Sequence, residues 1–310
     1  MIFQLTILGC NSAVPTKDRF TTSQLLQVSN HAYLIDAGEG MQLRLSQFTR
    51  QSSKINQVFI SHLHGDHILG LMGWLTSLSM RGRKKPMDIF SPEGLQQMIE
   101  VQSKWMAAHM TYPLNFHIVD TTVNKQIFED DKVTVHTIPL IHRVPASGYL
   151  FKEKPHRRRM RVEKIEEYNI PRTEIKAIKK QKEYTTEQGK IIPVEELLLP
   201  PTKQRSFAFC SDTIYTESII PIIKGVDLLY HETTFLHEAL DRAIATKHTT
   251  ALQAGMIAKA AEVGKLITGH YSSRYGDLSV IVREAQTHFP NTIAGEDGKV
   301  YEVELDKSDS

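Results

Sequence analysis

Ser61-His62-Leu63-His64-Gly65-Asp66-His67 places three imidazoles and a carboxylate directly after the strand-like run Val58-Phe59-Ile60. Side chains two apart in extended backbone share a face, so His62 and His64 can converge on one ion. Gly65 then lets the chain turn, and Asp66 with His67 can reach a second ion beside the first. Imidazole and carboxylate without thiolate suit zinc, manganese or iron rather than a sulfur-rich structural site. A cluster of this kind needs further ligands from distant parts of the chain. The fold must therefore bring several strand ends to one place.

The chain contains such ligands. His142 follows the strand-like Val133–Leu140, Asp212 ends Phe207-Ala208-Phe209-Cys210, and His270 ends Leu266–Gly269. Each lies where a hydrophobic run gives way to a loop, the usual place for functional groups on a rigid scaffold. The expected division is His62, His64 and His142 on one ion, and Asp66, His67 and His270 on the other. Asp212 is the expected bridging carboxylate.

With 310 residues, 41% of them hydrophobic, the chain can bury one large core or two modest ones. There is no apolar run long enough for a membrane helix, which needs about 18 residues. Met1-Ile2-Phe3-Gln4 reads as a first strand with no basic leader. The only two cysteines, Cys10 and Cys210, each adjoin an apolar run. They read as buried thiols rather than a disulfide, which fits a reducing cytoplasm.

The net charge of +2 hides a strong asymmetry. Residues 152–182 hold 12 Lys and Arg against 5 Glu, a local balance of +7, so the remainder carries −5. Basic charge gathered in one segment is the electrostatic footprint of a nucleic-acid contact. From composition alone, a solvated charged insertion fits equally well. Residues 152–200 are also polar and contain Pro155, Pro171, Pro193 and Pro200, too long a stretch for an ordinary connection. The expectation is a protruding flexible arm, with too few apolar residues for a core of its own.

Elsewhere strands and helices alternate. Strands are expected over 2–8, 23–28, 32–36, 58–61, 87–90, 114–119, 133–140, 207–210, 228–231 and 266–269. Helices are expected over 68–80, 93–109, 250–262 and 278–289. Both halves mix strand and helix, which suggests an α/β chain of two stacked sheets with helices outside, an αββα sandwich. Trp74 and Trp105 fall on helical stretches and are assigned to the core.

The His-x-His-x-Asp-His spacing resembles the signature of the metallo-β-lactamase superfamily. Within it the chain resembles ribonuclease Z, a tRNA 3′-processing endoribonuclease. Ser12-Ala13-Val14-Pro15-Thr16-Lys17-Asp18-Arg19 is similar to that family's opening loop, with Cys10 and Asn11 where Thr and Gly are expected. Asp36–Gln42 looks like its acidic glycine-rich loop, and Pro139-Leu140-Ile141-His142 with Gly148-Tyr149 fits its third metal motif. His231-Glu232-Thr233-Thr234-Phe235, Lys247-His248-Thr249-Thr250 and His270-Tyr271-Ser272-Ser273-Arg274-Tyr275 resemble the motifs that separate it from lactamases and lactonases.

This resemblance implies a metallo-β-lactamase sandwich binding two zinc ions, with other metals such as manganese possible. It implies cleavage of precursor tRNA just after the discriminator nucleotide, leaving a 3′-hydroxyl on the tRNA. A metal-bridging hydroxide would be the nucleophile and Asp66 would orient it. His248 is the expected proton donor, with Glu232 holding its ring. His231 is the weaker candidate for that role. The inserted segment corresponds to the family's basic arm, which clamps the tRNA elbow and in a homodimer serves the other subunit. Arg157, Arg158, Arg159, Arg161, Lys17 and Arg274 are the expected RNA contacts. The arm departs from the bacterial pattern, reading Ile170-Pro171-Arg172-Thr173 where a Gly-Pro pair is usual. The rival reading is another phosphodiesterase of the same fold, acting on cyclic nucleotides or other small phosphodiesters.

Overall fold

A computed structural model describes residues 2–49, 52–156 and 158–305. Two compact units emerge from it: Met1–Glu153 with Arg205–Val303, and Lys154–Gln204.

The first unit is built on two seven-stranded sheets. One orders Val300–Glu302, Phe3–Gly9, Ser23–Val28, His31–Ile35, Ile55–Phe59, Met87–Ser91 and Leu114–Ile118. The other orders Thr292–Ala294, Lys265–Gly269, Leu228–Glu232, Ser206–Cys210, Ala146–Glu153, Val133–Leu140 and Gln126–Glu129. Each sheet is antiparallel on one side and parallel on the other.

The two-residue period of the strands decides which core each side chain joins. Phe3, Leu5, Ile7, Tyr33, Ile35, Phe59 and Phe90 share one core with Val135, Tyr149, Phe151, Phe207 and Phe209 of the other sheet. Leu25, Leu34, Val58 and Ile89 belong to a second core, with Trp74 and Leu75 of the helix Leu71–Met80 and Leu95 and Ile99 of Leu95–Trp105. The helices Ala251–Ala260 and Ser279–Gln286 pack Ala254, Ile257 and Ile281 onto the first core. This is the expected αββα sandwich.

The continuous helix expected over 68–80 divides into Gly65–Ile68 and Leu71–Met80. At the break the Gly70 N–H donates to the Ala37 carbonyl at 2.9 Å. A Cβ on Gly70 would lie 2.2 Å from the Gly38 carbonyl oxygen, so only glycine allows the histidine-rich loop to dock on the loop after Asp36. Trp74 is 3% exposed, but Trp105 is 80% exposed, which corrects its assignment to the core. Trp105 is the last residue of its helix, beyond the turns where Leu95 and Ile99 face inward. Both cysteines are buried free thiols.

The second unit holds short helices at Val162–Glu167, Ile175–Ile178 and Val194–Leu197, and a hairpin of Glu183–Thr185 with Ile191–Pro193. Met160, Ile170, Ile178, Tyr184, Ile192, Val194, Leu197 and Leu198 bury themselves against one another. This corrects the expectation of a segment without a core. These apolar residues are scattered singly among charges, so no run of them stands out in the sequence. Lys152 lies in the strand Ala146–Glu153 of the sandwich.

Candidate metal centre

The strand Ile55–Phe59 delivers the histidine cluster to one edge of the sandwich, and the ends of three strands in the other sheet bring the remaining ligands there. His62, His64, His142 and Asp212 form one group whose potential ligand atoms all lie within 4.8 Å of one another. Asp66, His67 and His270 form a second by the same measure. The His62 Nε2 and His64 Nδ1 atoms are 3.0 Å apart, and His142 Nε2 is 3.3 Å from His64 Nδ1. Ligands held tetrahedrally at zinc distances of about 2.0–2.1 Å would sit roughly 3.3 Å from each other. The three nitrogens thus converge as a ligand triad does.

Asp212 faces both groups with different oxygens. Its Oδ2 lies 3.6 Å from His62 Nε2 and 3.8 Å from His142 Nε2. Its Oδ1 lies 3.2 Å from His270 Nε2 and 3.5 Å from His67 Nε2. Asp66 Oδ2 completes the second group, 3.4 Å from His270 Nε2 and 3.6 Å from His67 Nε2. That same oxygen accepts the Ala13 N–H at 2.7 Å.

A further layer of hydrogen bonds fixes which nitrogen each ring presents. His67 Nδ1 donates to Asp36 Oδ2 at 2.7 Å, and His142 Nδ1 donates to the Lys247 carbonyl at 3.0 Å. Ser61 Oγ donates to Asp36, so His62 Nδ1 donates to Ser61 Oγ at 3.0 Å. Thr234 Oγ1 donates to Glu232, so His270 Nδ1 donates to Thr234 Oγ1 at 2.9 Å. With these four Nδ1 atoms committed, the Nε2 lone pairs of His62, His67, His142 and His270 point at the two groups, the usual outer support of metal-binding histidines. Asp36, Lys247 and His270 hold positive φ of 55–56°, a strained backbone that aims these contacts.

Charge and burial favour cations here. Burial raises the Asp212 carboxyl, but His270, His67 and His62 outweigh it and hold Asp212 far below the ordinary carboxylate range. Burial lowers His67, yet Asp212, Asp66 and Asp36 draw a proton onto it. His67 Nε2 is nevertheless buried with no hydrogen-bond partner. Divalent cations would satisfy that nitrogen and supply the positive charge that three converging carboxylates demand, so the residues fit two metal ions.

His248 stands at the edge of this centre, its ring 5.2 Å from that of His142 and 5.4 Å from that of His270. Its Nδ1 donates to Glu232 Oε1 at 2.9 Å, which leaves Nε2 for a bound substrate. Burial opposes its charged form, but the Glu232 carboxylate prevails and raises its pKa to about 9. Glu232 is itself fixed by the Thr213 N–H and the Thr234 hydroxyl. His231 is fully buried, with Nδ1 donating to the Glu232 carbonyl, and does not line the cleft.

The cleft over the centre is lined by Asp66, His248 and His270 together with Arg143, Arg242 and Arg274. Arg274 is among the expected RNA contacts. Arg143 and Arg242 are not, although Arg143 directly follows His142. Lys17 is exposed on the opening loop and is absent from the cleft lining. In the second unit Arg158 pairs with Glu195 and donates to the Leu199 carbonyl, while Arg161 donates to the Leu198 carbonyl. Arg159 is exposed, and Arg157 lies outside the described residues. Asp36 and Thr234, which orient the candidate ligands His67 and His270, stand out in the sequence only as parts of motifs.

The family described as Anti-Pycsar protein Apyc1 matches residues 3–154, just under half of the chain. Curated relatives match almost all of it. A ribonuclease Z from Cytophaga hutchinsonii is 43% identical over 304 residues, 98% of this chain and 97% of that protein. One from Bacteroides fragilis is 42% identical over 291 residues, covering 94% and 96%. Among solved structures, the short form of human tRNase Z matches with a TM-score of 0.69 at 21% identity, covering 96% of this chain and 98% of that one. The metallo-β-lactamase fold protein YhfI from Bacillus subtilis gives 0.67 at 20% identity, covering 98% and 100%.

Proposed function

The chain belongs to the ribonuclease Z family, and from that membership we propose how its residues carry out the reaction. It is a metal-dependent endoribonuclease of tRNA 3′ processing. Its substrate is precursor tRNA, cut after the discriminator nucleotide so that the tRNA keeps a 3′-hydroxyl and the trailer leaves with a 5′-phosphate. His62, His64 and His142 would hold one zinc ion, Asp66, His67 and His270 a second, and Asp212 both, with manganese able to take their place. Such ions supply an activated water at neutral pH and neutralise charge at phosphorus.

The protein groups perform the remaining work. Asp66, steadied by the Ala13 N–H, orients the attacking water and takes its proton. As the water oxygen bonds to phosphorus and the bond to the 3′-oxygen breaks, His248 Nε2 gives its proton to that leaving oxygen. Glu232 keeps the imidazole charged and aimed. Arg143, Arg242 and Arg274 offer cationic partners to the flanking phosphates.

The second unit serves as a basic exosite for the tRNA body. A cavity within it is lined by Arg158, Arg172, Lys176, Lys179 and Lys180. The enzyme works as a homodimer in the cytoplasm, with each arm serving the other subunit. Among the described residues no helix is long and apolar enough to cross a membrane.

The observation that carries this reading is the near full-length likeness at 42–43% identity, joined to two ligand groups that meet at Asp212. Incubation of a trailer-bearing precursor tRNA with the zinc-loaded protein, followed by mapping of the new 3′ end, tests it. A single 3′-hydroxyl end at the discriminator is the expected product. Cleavage elsewhere, or turnover of cyclic nucleotides alone, would replace this reading with that of a small-phosphodiester hydrolase.

A further inference from the structure

The opening loop reaches the catalytic cleft through a solvent-exposed turn. Ser12 and Ala13 line the cleft beside Asp66, and both Ala13 and Val14 are exposed. The Val14 N–H donates to the Ser12 carbonyl at 2.7 Å, and Ala13 between them holds φ at 60°. A three-residue turn with positive φ at its centre is the rare, strained kind. Alanine adds to the strain, because a Cβ disfavours the left-handed region. Yet this turn is what aims the Ala13 N–H at Asp66 Oδ2, 2.7 Å away.

One buried side chain opposes that strain. Asn11 is fully buried and donates from Nδ2 to the Val14 carbonyl at 2.7 Å and to the Ser12 carbonyl at 3.3 Å. Its Oδ1 accepts the Arg19 Nε–H at 3.2 Å, and Arg19 Nη2 donates to the Tyr275 carbonyl at 2.8 Å. A guanidinium only donates and a carbonyl only accepts, so the carboxamide fits one way round. The Asn11 backbone is anchored as well. Its N–H donates to the Phe20 carbonyl at 2.8 Å, and the next N–H, of Ser12, donates to the Tyr271 carbonyl at 2.9 Å. Asn11 therefore ties the exposed turn to fixed backbone. It stands where the family's opening loop is expected to have glycine, which has no side chain for this task.

We infer that Asn11 is a positioning residue for hydrolysis: it keeps Ala13 in the left-handed turn, so that the Ala13 N–H holds Asp66 in place. That role rests on the reading of Asp66 as the group that orients the attacking water. Asn11 belongs to neither ligand group and acts through one backbone amide.

The test separates a hold on this turn from general support of the fold. Asn11→Asp keeps the size of the side chain and the acceptor for Arg19 but loses the donor, whereas Asn11→Ala loses both. Two properties of the full-length protein are measured: exchange of the Ala13 amide hydrogen without metal, and kcat and KM for precursor tRNA with zinc saturating. In both variants the amide should exchange at least about tenfold faster. Their kcat should fall roughly 10- to 100-fold while KM stays close to that of the wild type. Adding Ala13→Gly to either variant should recover about fivefold or more of the lost kcat, because glycine takes positive φ without the tie. A glycine two residues away would not mend a general loss of core support. Unchanged exchange, an unchanged kcat, or a loss that Ala13→Gly leaves in place would overturn the inference, as would failure of both variants to fold. If the wild type leaves precursor tRNA uncut, the functional reading fails instead, and amide exchange still decides whether Asn11 holds Ala13.

Discussion

Replacing Glu232 by Gln should move the alkaline limb of the pH–rate profile without emptying the metal centre. The carboxylate accepts the His248 Nδ1–H at 2.9 Å, the Thr213 N–H at 2.9 Å and the Thr234 hydroxyl at 2.6 Å. It belongs to neither ligand group. With Glu232 in place His248 titrates at about 9, and without the charge it should return to its ordinary value near 6.5 or below. That difference of about 2.5 units corresponds to roughly 3 kcal/mol. The sign follows from the chemistry: His248 must hold a proton to donate it, so activity persists up to its pKa and fades above. At pH 8 a group titrating at about 9 is roughly 90% protonated and one at 6.5 about 3%, so the rate should drop about thirtyfold. Near pH 6 the two enzymes should differ far less. Single-turnover cleavage of precursor tRNA from pH 5.5 to 9.5, with metal content measured in parallel, provides the check. An unmoved alkaline limb with metal retained would refute the proton-donor role of His248, and loss of metal would make Glu232 a support of the centre instead.

Three further outcomes are expected. His248→Ala should lower kcat by roughly 10²–10⁴ while metal content stays near normal, and a nitrophenyl phosphodiester with its good leaving group should suffer much less. Asp36→Ala should weaken metal binding about 10- to 100-fold, read by competition with a chromogenic chelator, because it frees both the His67 ring and the Ser61 hydroxyl that steadies His62. Replacing Lys154–Gln204 by a short linker should leave the sandwich folded, since the Glu153 N–H donates to the Arg205 carbonyl at 2.8 Å and the two ends are already joined. Precursor tRNA affinity should then fall, and the slope of log K against log salt should flatten by about 0.7–0.9 for each phosphate deprived of its cationic partner. An unchanged slope would remove the basic segment from RNA binding.

Much of the site could be read in the sequence because its chemistry depends on residue types that are rare in such density. His62, His64, Asp66 and His67 sit together, and His142, Asp212 and His270 each follow an apolar run that ends as a strand in the structure. The sandwich followed from the same alternation of runs. What the sequence does not display depends on contacts between distant segments. Asp36 matters through Ser61 and His67, and Thr234 through Glu232 and His270, relations that no local pattern announces. Short edge strands such as Gln126–Glu129 and Thr292–Ala294 carry too few residues to display a period. Trp105 reads as core in the sequence because an aromatic on a helix gives no sign of where the helix ends. The core of the second unit is invisible in the sequence because its members, Met160 through Leu198, meet only in three dimensions.

We propose that one carboxylate, Asp212, joins two metal sites. Metal content per folded chain, measured by mass spectrometry on wild type and Asp212→Ala after exposure to zinc and removal of free ions, tests it most directly. Two ions are expected in the wild type, and in the variant a loss of metal with cleavage of precursor tRNA abolished. Two ions retained in the variant with a near-normal rate, or a single ion in an active wild type, would contradict it.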